Sequence, residues 1–67
     1  MAKILINGKK TTFKKDITVL DLLKKYNINT KKVAIELNGK ILVKNNLKNK
    51  IIKDKDKIEI VQFIGGG

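Results

Sequence analysis

Gly65, Gly66 and Gly67 follow directly on an apolar run, Ile58 to Ile64, that reads as a strand. Beyond that strand no side chain is left for packing, only backbone and the α-carboxylate of Gly67. Glycine loses more conformational freedom on ordering than any other residue, and without a Cβ it lets another backbone approach closely. Three extended residues reach about 10 Å past the last packed position, at ~3.3–3.6 Å each. The pattern describes a thin, mobile probe with a carboxylate at its tip, shaped to enter a narrow site on another protein. Glycine-rich ends also arise by simple fraying, so the weight of this reading depends on the rest of the chain.

The composition removes most other chemistry. The 67 residues include no Cys, no His, no Trp and no Pro. Disulfides are impossible, and zinc sites built from Cys and His are excluded. So are nucleophilic Cys–His and Ser–His pairs. A domain of this size buries only about 60% of the surface its unfolded chain exposes. It has no room for a deep pocket, and any reaction should take place on its surface or inside a partner. No apolar stretch approaches the roughly 20 residues of a membrane helix. No secretory signal pattern opens the chain, so the cytoplasm is the expected compartment.

The net charge of +10 raises the question of nucleic acid. All 16 basic residues are lysine, and lysine lacks the bidentate fork with which arginine reads phosphate and guanine. Aromatics for base stacking are restricted to Phe13, Tyr26 and Phe63. The lysines are spread along the whole chain, in pairs such as Lys9-Lys10, Lys24-Lys25 and Lys31-Lys32. We read the charge as a solvated surface rather than a nucleic-acid footprint.

The elements that must position the tail follow from pattern. Lys3 to Asn7 is a short β-rich run closed by Asn7-Gly8, a strong hairpin signal because both residues tolerate positive φ. Thr11 to Lys15, centred on Phe13, is the expected return strand. Thr18 can cap a helix in a capping-box pair with Asp21, and Ile17 and Leu22 have hydrophobic-staple spacing. Val19, Leu22, Leu23 and Tyr26 recur at helical spacing on one face, and Asn27 and Asn29 end the helix. At about two turns it depends on packing against a sheet. Val33, Ile35 and Leu37 alternate as one face of a third strand, Asn38-Gly39 makes a second hairpin turn, and Ile41 to Val43 follows. Asn45 to Asp56 is polar connection that Leu47 and Ile51-Ile52 should pin to the core. In the last strand Ile58, Ile60 and Ile64 fall on one face and Glu59, Val61 and Phe63 on the other. The order β-β-α-β-β-β, with one helix packed on a mixed sheet, predicts an α+β domain of the β-grasp, ubiquitin-like kind. Residues 1–64 would form this domain and residues 65–67 a flexible tail.

In Thr18-Val19-Leu20-Asp21-Leu22-Leu23, Ala34-Ile35-Glu36-Leu37-Asn38-Gly39 and the closing Ile58-Glu59-Ile60-Val61-Gln62-Phe63-Ile64-Gly65-Gly66-Gly67, the chain resembles the ThiS family. These are small sulfur-carrier proteins of thiamine biosynthesis. The resemblance spans nearly the full length, and its last ten residues are the most specific part. It departs at Asp54-Lys55-Asp56, where Asp-Gly-Asp is expected, and at Val43, where proline is common.

The resemblance implies a protein that is not itself an enzyme and binds no cofactor. A ubiquitin-activating-type adenylyltransferase would spend ATP on the Gly67 carboxylate, and a persulfide sulfur supplied by a desulfurase system would replace AMP. Thiazole synthase would then receive sulfur from the C-terminal thiocarboxylate. Gly65 and Gly66 would give reach, and Val61, Phe63 and Ile64, at the root of the tail, would help dock the domain. Three alternatives share parts of this pattern. They are the small-subunit carrier of molybdopterin synthesis, a ubiquitin-like modifier joined to lysines through Gly67, and a basic β-grasp domain that binds RNA.

Overall fold

The computed structural model describes residues 1–14 and 16–63. The expectations for Ile64 and the Gly65–Gly67 tail, and the division at residue 64, therefore lie outside the described residues. Strands β1 (Ala2–Ile6) and β2 (Lys9–Phe13) form the opening hairpin, and helix α1 (Val19–Lys25) follows. Strands β3 (Val33–Leu37), β4 (Lys40–Leu42) and β5 (Lys57–Gln62) complete one sheet in the order β2-β1-β5-β3-β4. The last strand is thus inserted at the centre, parallel to β1 and antiparallel to β3.

Both hairpins turn on the expected dipeptides, with Asn7 and Gly8 at φ 49° and 83° and Asn38 and Gly39 at 53° and 85°. The return strand β2 begins two residues earlier than the sequence pattern suggested and stops at Phe13. A two-residue turn makes Lys9 pair at once with Ile6, so pairing starts at the turn rather than at the apolar residue. For the same reason β4 starts at Lys40, opposite Leu37. Val43 then leaves the strand, at φ −70° and ψ 151°, to cap a short 3-10 turn, Lys44–Asn46.

Helix α1 has the expected capping box. The Thr18 hydroxyl accepts from the Asp21 N–H at 3.1 Å, and the Asp21 carboxylate accepts from the Thr18 N–H at 3.0 Å. The first-turn donors, which have no partner within the helix, are satisfied by the long connection: Val19 N–H reaches the Lys50 carbonyl at 2.9 Å and Leu20 N–H the Leu47 carbonyl at 3.0 Å. Val19, Leu22 and Leu23 are fully buried. Tyr26 does not share that burial, because it is the helix C-cap and turns outward. Its ring meets Phe13 edge-on at 6.1 Å.

The core lies between α1 and one sheet face, built from Ile4, Phe13, Val33, Ile35, Leu37 and Ile58 under the helix. Leu47 and Ile52 seal it from the connection. Ile51 does not help, since its side chain is exposed and its contribution is a backbone bridge to Thr18. Phe13 is 3% exposed and so is closed to base stacking. Every described lysine is exposed, on strands, helix and connections alike.

Candidate functional site

Strand β5 leads in sequence into the closing glycines, so the site is built on that strand. Its parity follows the alternation read in the sequence. Ile58 is buried and Ile60 partly buried beneath the helix, while Glu59, Val61 and Phe63 are exposed on the opposite sheet face. Val61 and Phe63 are each 51% exposed, so no strand or loop among the described residues covers them fully.

The register shows what surrounds them. Ala34 lies beside Val61, and Glu36 lies beside both Glu59 and Ile41. Ile41 and Val43 are 76% and 58% exposed, and Phe63 shares a surface notch of ≈ 380 Å³ with Ala34, Ile41 and Val43. The result is an apolar patch of Ala34, Ile41, Val43, Val61 and Phe63 with two carboxylates at its border. Like charges directly opposite in a sheet are destabilising. A surface that covers this patch is favoured if it brings a positive group to the Glu36–Glu59 pair.

Two asparagines hold β5 from both sides. The Asn7 Oδ1 accepts from the Ile60 N–H at 2.7 Å, and its Nδ2 donates to the Ile60 carbonyl at 3.3 Å. The Asn38 Oδ1 accepts from the Lys57 N–H at 2.8 Å, and its Nδ2 donates to Asp56 at 2.9 Å. Each side chain substitutes for a missing strand residue and fixes the line along which β5 leaves the domain. Sequence reasoning read these residues only as turn formers. The available signal was asparagine, rather than glycine, at the first turn position, since its side chain also bonds to backbone. Ile41 and Val43 were likewise missed as patch residues, although their spacing puts both on one strand face.

The connection before β5 contains the first departure from the family pattern. Lys55 has φ 72°, the left-handed region glycine occupies without cost. Its N–H donates to the Lys3 carbonyl at 2.7 Å, and Asp54 accepts from the Lys3 N–H at 2.8 Å. The loop keeps the geometry of an Asp-Gly-Asp turn with a lysine in the glycine's place. Among the described residues no helix is long and apolar enough to cross a membrane.

Comparison with known proteins agrees with this geometry. The profile of the ThiS family matches residues 4–67. The chain is 43% identical over 63 residues to the sulfur carrier protein ThiS of Bacillus subtilis, covering 92% of this chain and 96% of that one. It is also 42% identical over 65 residues to a thiazole synthase of Paramagnetospirillum magneticum, of which it spans only 20%. Among solved structures, the crystal structure of the thiamine biosynthesis protein ThiS of Geobacter metallireducens superposes with a TM-score of 0.84 at 31% identity. That alignment covers 97% of this chain and 99% of the other.

Proposed function

The chain belongs to the ThiS family of sulfur carriers in thiamine biosynthesis, and we propose that Gly67 is its carrier residue. The observation that carries this reading is the place of β5. It is the central strand, clamped on both sides, and it runs from the core straight to the residues that precede Gly65-Gly66-Gly67.

A carboxylate is a poor electrophile until its oxygen is made a leaving group. In the proposed sequence a Gly67 oxygen attacks the α-phosphorus of ATP in a ubiquitin-activating-type adenylyltransferase, releasing pyrophosphate. The terminal sulfur of a persulfide, charged by a desulfurase, then attacks the acyl carbon and AMP departs. A thiol cleaves the remaining S–S bond and leaves the thiocarboxylate. Thiazole synthase is the acceptor, a reading supported by the relative in which a ThiS-like fifth is part of a thiazole synthase chain. This protein supplies the substrate terminus and its docking face, and the catalytic groups belong to the partners. Glycine at the last position leaves the acyl carbon open to attack. Val61 and Phe63, with Ile64 beside the tail, hold the domain while Gly67 reaches the ATP site. ATP and protein persulfide are both supplied in the cytoplasm, which is the proposed compartment.

The test is intact mass after incubation with adenylyltransferase, desulfurase, cysteine, a thiol and ATP. The chain should gain the mass difference between sulfur and oxygen, and a chain lacking Gly67 should gain nothing. Attachment to lysines without a sulfur-bearing species would transfer the protein to the modifier class.

A further inference from the structure

Beyond the outer patch, β5 presents an unpaired backbone edge at Gln62. The direction of each backbone group follows from its partners. Lys57 accepts from the Asn38 N–H and Phe63 donates to the Lys32 carbonyl, so odd-numbered residues face β3. Asp56 accepts from Leu5 and Ile58 from Asn7, so even-numbered residues face β1. Strand β1, however, pairs with β5 only at Leu5–Lys57 and Ile6–Ile58. At Asn7 the chain turns away into the hairpin, and the Asn7 side chain takes both polar groups of Ile60. Gln62 is the next residue facing that side. Among the described residues neither its N–H nor its carbonyl has a backbone partner there.

The space beside it is shaped for chain. A notch of ≈ 490 Å³ opens where β1 ends, lined by Ile6, Asn7, Tyr26, Ile28, Ile60 and Gln62. Ile6, Ile28, Ile60 and the Tyr26 ring give it apolar lining, and Asn7 and Gln62 supply polar groups. An unpaired strand edge is a template for an added strand: backbone hydrogen bonds give affinity, and alternate side chains find pockets. Here one backbone donor–acceptor pair and one apolar notch lie side by side, five residues before Gly67 in sequence.

We propose that this edge receives an extended segment of the enzyme that activates Gly67. The segment continues the position of β1 past Asn7, exchanges hydrogen bonds with Gln62, and places one apolar side chain in the notch. Pairing there holds the root of the tail on the side opposite β3, so fewer tail conformations remain to be lost when Gly67 meets ATP. This inference rests on the carrier reading and deepens it by naming the partner's contact as backbone.

The test is amide hydrogen exchange of the whole chain, alone and with its cognate adenylyltransferase. Alone, Val61 and Phe63 should be protected by β3 and Gln62 should exchange fast. In the complex Gln62 should become protected. A chain made by total synthesis with an ester in place of the Val61–Gln62 amide removes that donor and weakens the Val61 carbonyl, which faces Ala34 on β3. Its unfolding midpoint should fall only by that one weakened bond to β3, and well below the melting point KM for the chain in adenylation should rise on the order of 3–10-fold, the effect of one net hydrogen bond. Fast exchange at Gln62 in a complex that adenylates Gly67 overturns the inference and leaves the carrier reading intact. Failure of Gly67 to be adenylated at all overturns both. Protection of Gln62 in the free chain that grows with concentration gives the edge to a second copy of this chain, and also overturns it.

Discussion

Truncating Phe63 to alanine separates docking from folding, and the structure sets its size. The side chain is 51% exposed, and a fully buried Phe removes about 150–250 Å² from water. About 100 Å² is therefore left for a partner to cover. At ~25 cal/mol per Å² this is worth at most about 2.5 kcal/mol, within the ~1–3 kcal/mol usual for an anchoring interface side chain. A loss of that size raises Kd by up to about 60-fold, at ~1.4 kcal/mol per tenfold. The half already covered by the chain is lost too, so the variant should also melt several degrees lower. The shift is on the order of 4–8 °C per kcal/mol for so small a domain. Calorimetric titration into the adenylyltransferase, well below the melting point, gives the first quantity, and ATP–pyrophosphate exchange gives the chemistry. Deleting Gly67 is the complementary change. Docking should be kept and exchange abolished, because the new terminus falls about 3.5 Å short where reacting atoms must approach to about 3–3.5 Å. An unchanged Kd for Phe63→Ala refutes the outer sheet face as the docking surface. Normal exchange without Gly67 refutes the position of the carboxylate.

Asn7→Ala should destabilise the domain by about 2–3 kcal/mol, from two hydrogen bonds at ~1 kcal/mol each and the left-handed φ. Asn7→Gly should recover the φ part only, and urea unfolding distinguishes the two variants. Lys55→Gly, which relieves φ 72°, should stabilise by about 0.5–1 kcal/mol after glycine's own entropy is counted. Lys55→Ala, which removes the same charge without freeing φ, should not stabilise. Val43→Pro, at φ −70° and ψ 151°, should raise the urea midpoint through reduced unfolded-state entropy, by about 0.4–1 kcal/mol. The Asp21 carboxyl is held below the ordinary aspartate range, first by the Thr18 N–H and then by the Thr18 hydroxyl, with Lys24 adding to it. Because its folded pKa is lowered, the stability it contributes is present above the unfolded value, about 3.9, and is lost as pH falls through the lower folded one. Asp21→Asn should therefore flatten the fall in Tm between about pH 5 and pH 2 relative to the unaltered chain. A parallel fall in both proteins would count against the capping box as an acid-sensitive element.

The sequence by itself determined much of what depends on near neighbours. The two Asn-Gly turns, the Thr18–Asp21 cap, the buried parity of Val33, Ile35 and Leu37, and the outward parity of Val61 and Phe63 are all set by spacings of a few residues. Element edges were less legible. Lys9 and Lys40 join their strands because a tight turn enforces pairing, whatever the side chain's own preference. Tertiary structure alone decided the long-range matters. Inserting β5 between β1 and β3 joined Asn7 to Ile60 across 53 residues of sequence. It also set Glu36 against Glu59 and, among the described residues, left Gln62 without a backbone partner on the β1 side. Local periodicity tells which face a side chain takes. It carries no information about which strand lies alongside or how far along that neighbour reaches, and those are the facts that shape the docking face and the edge at the root of the tail.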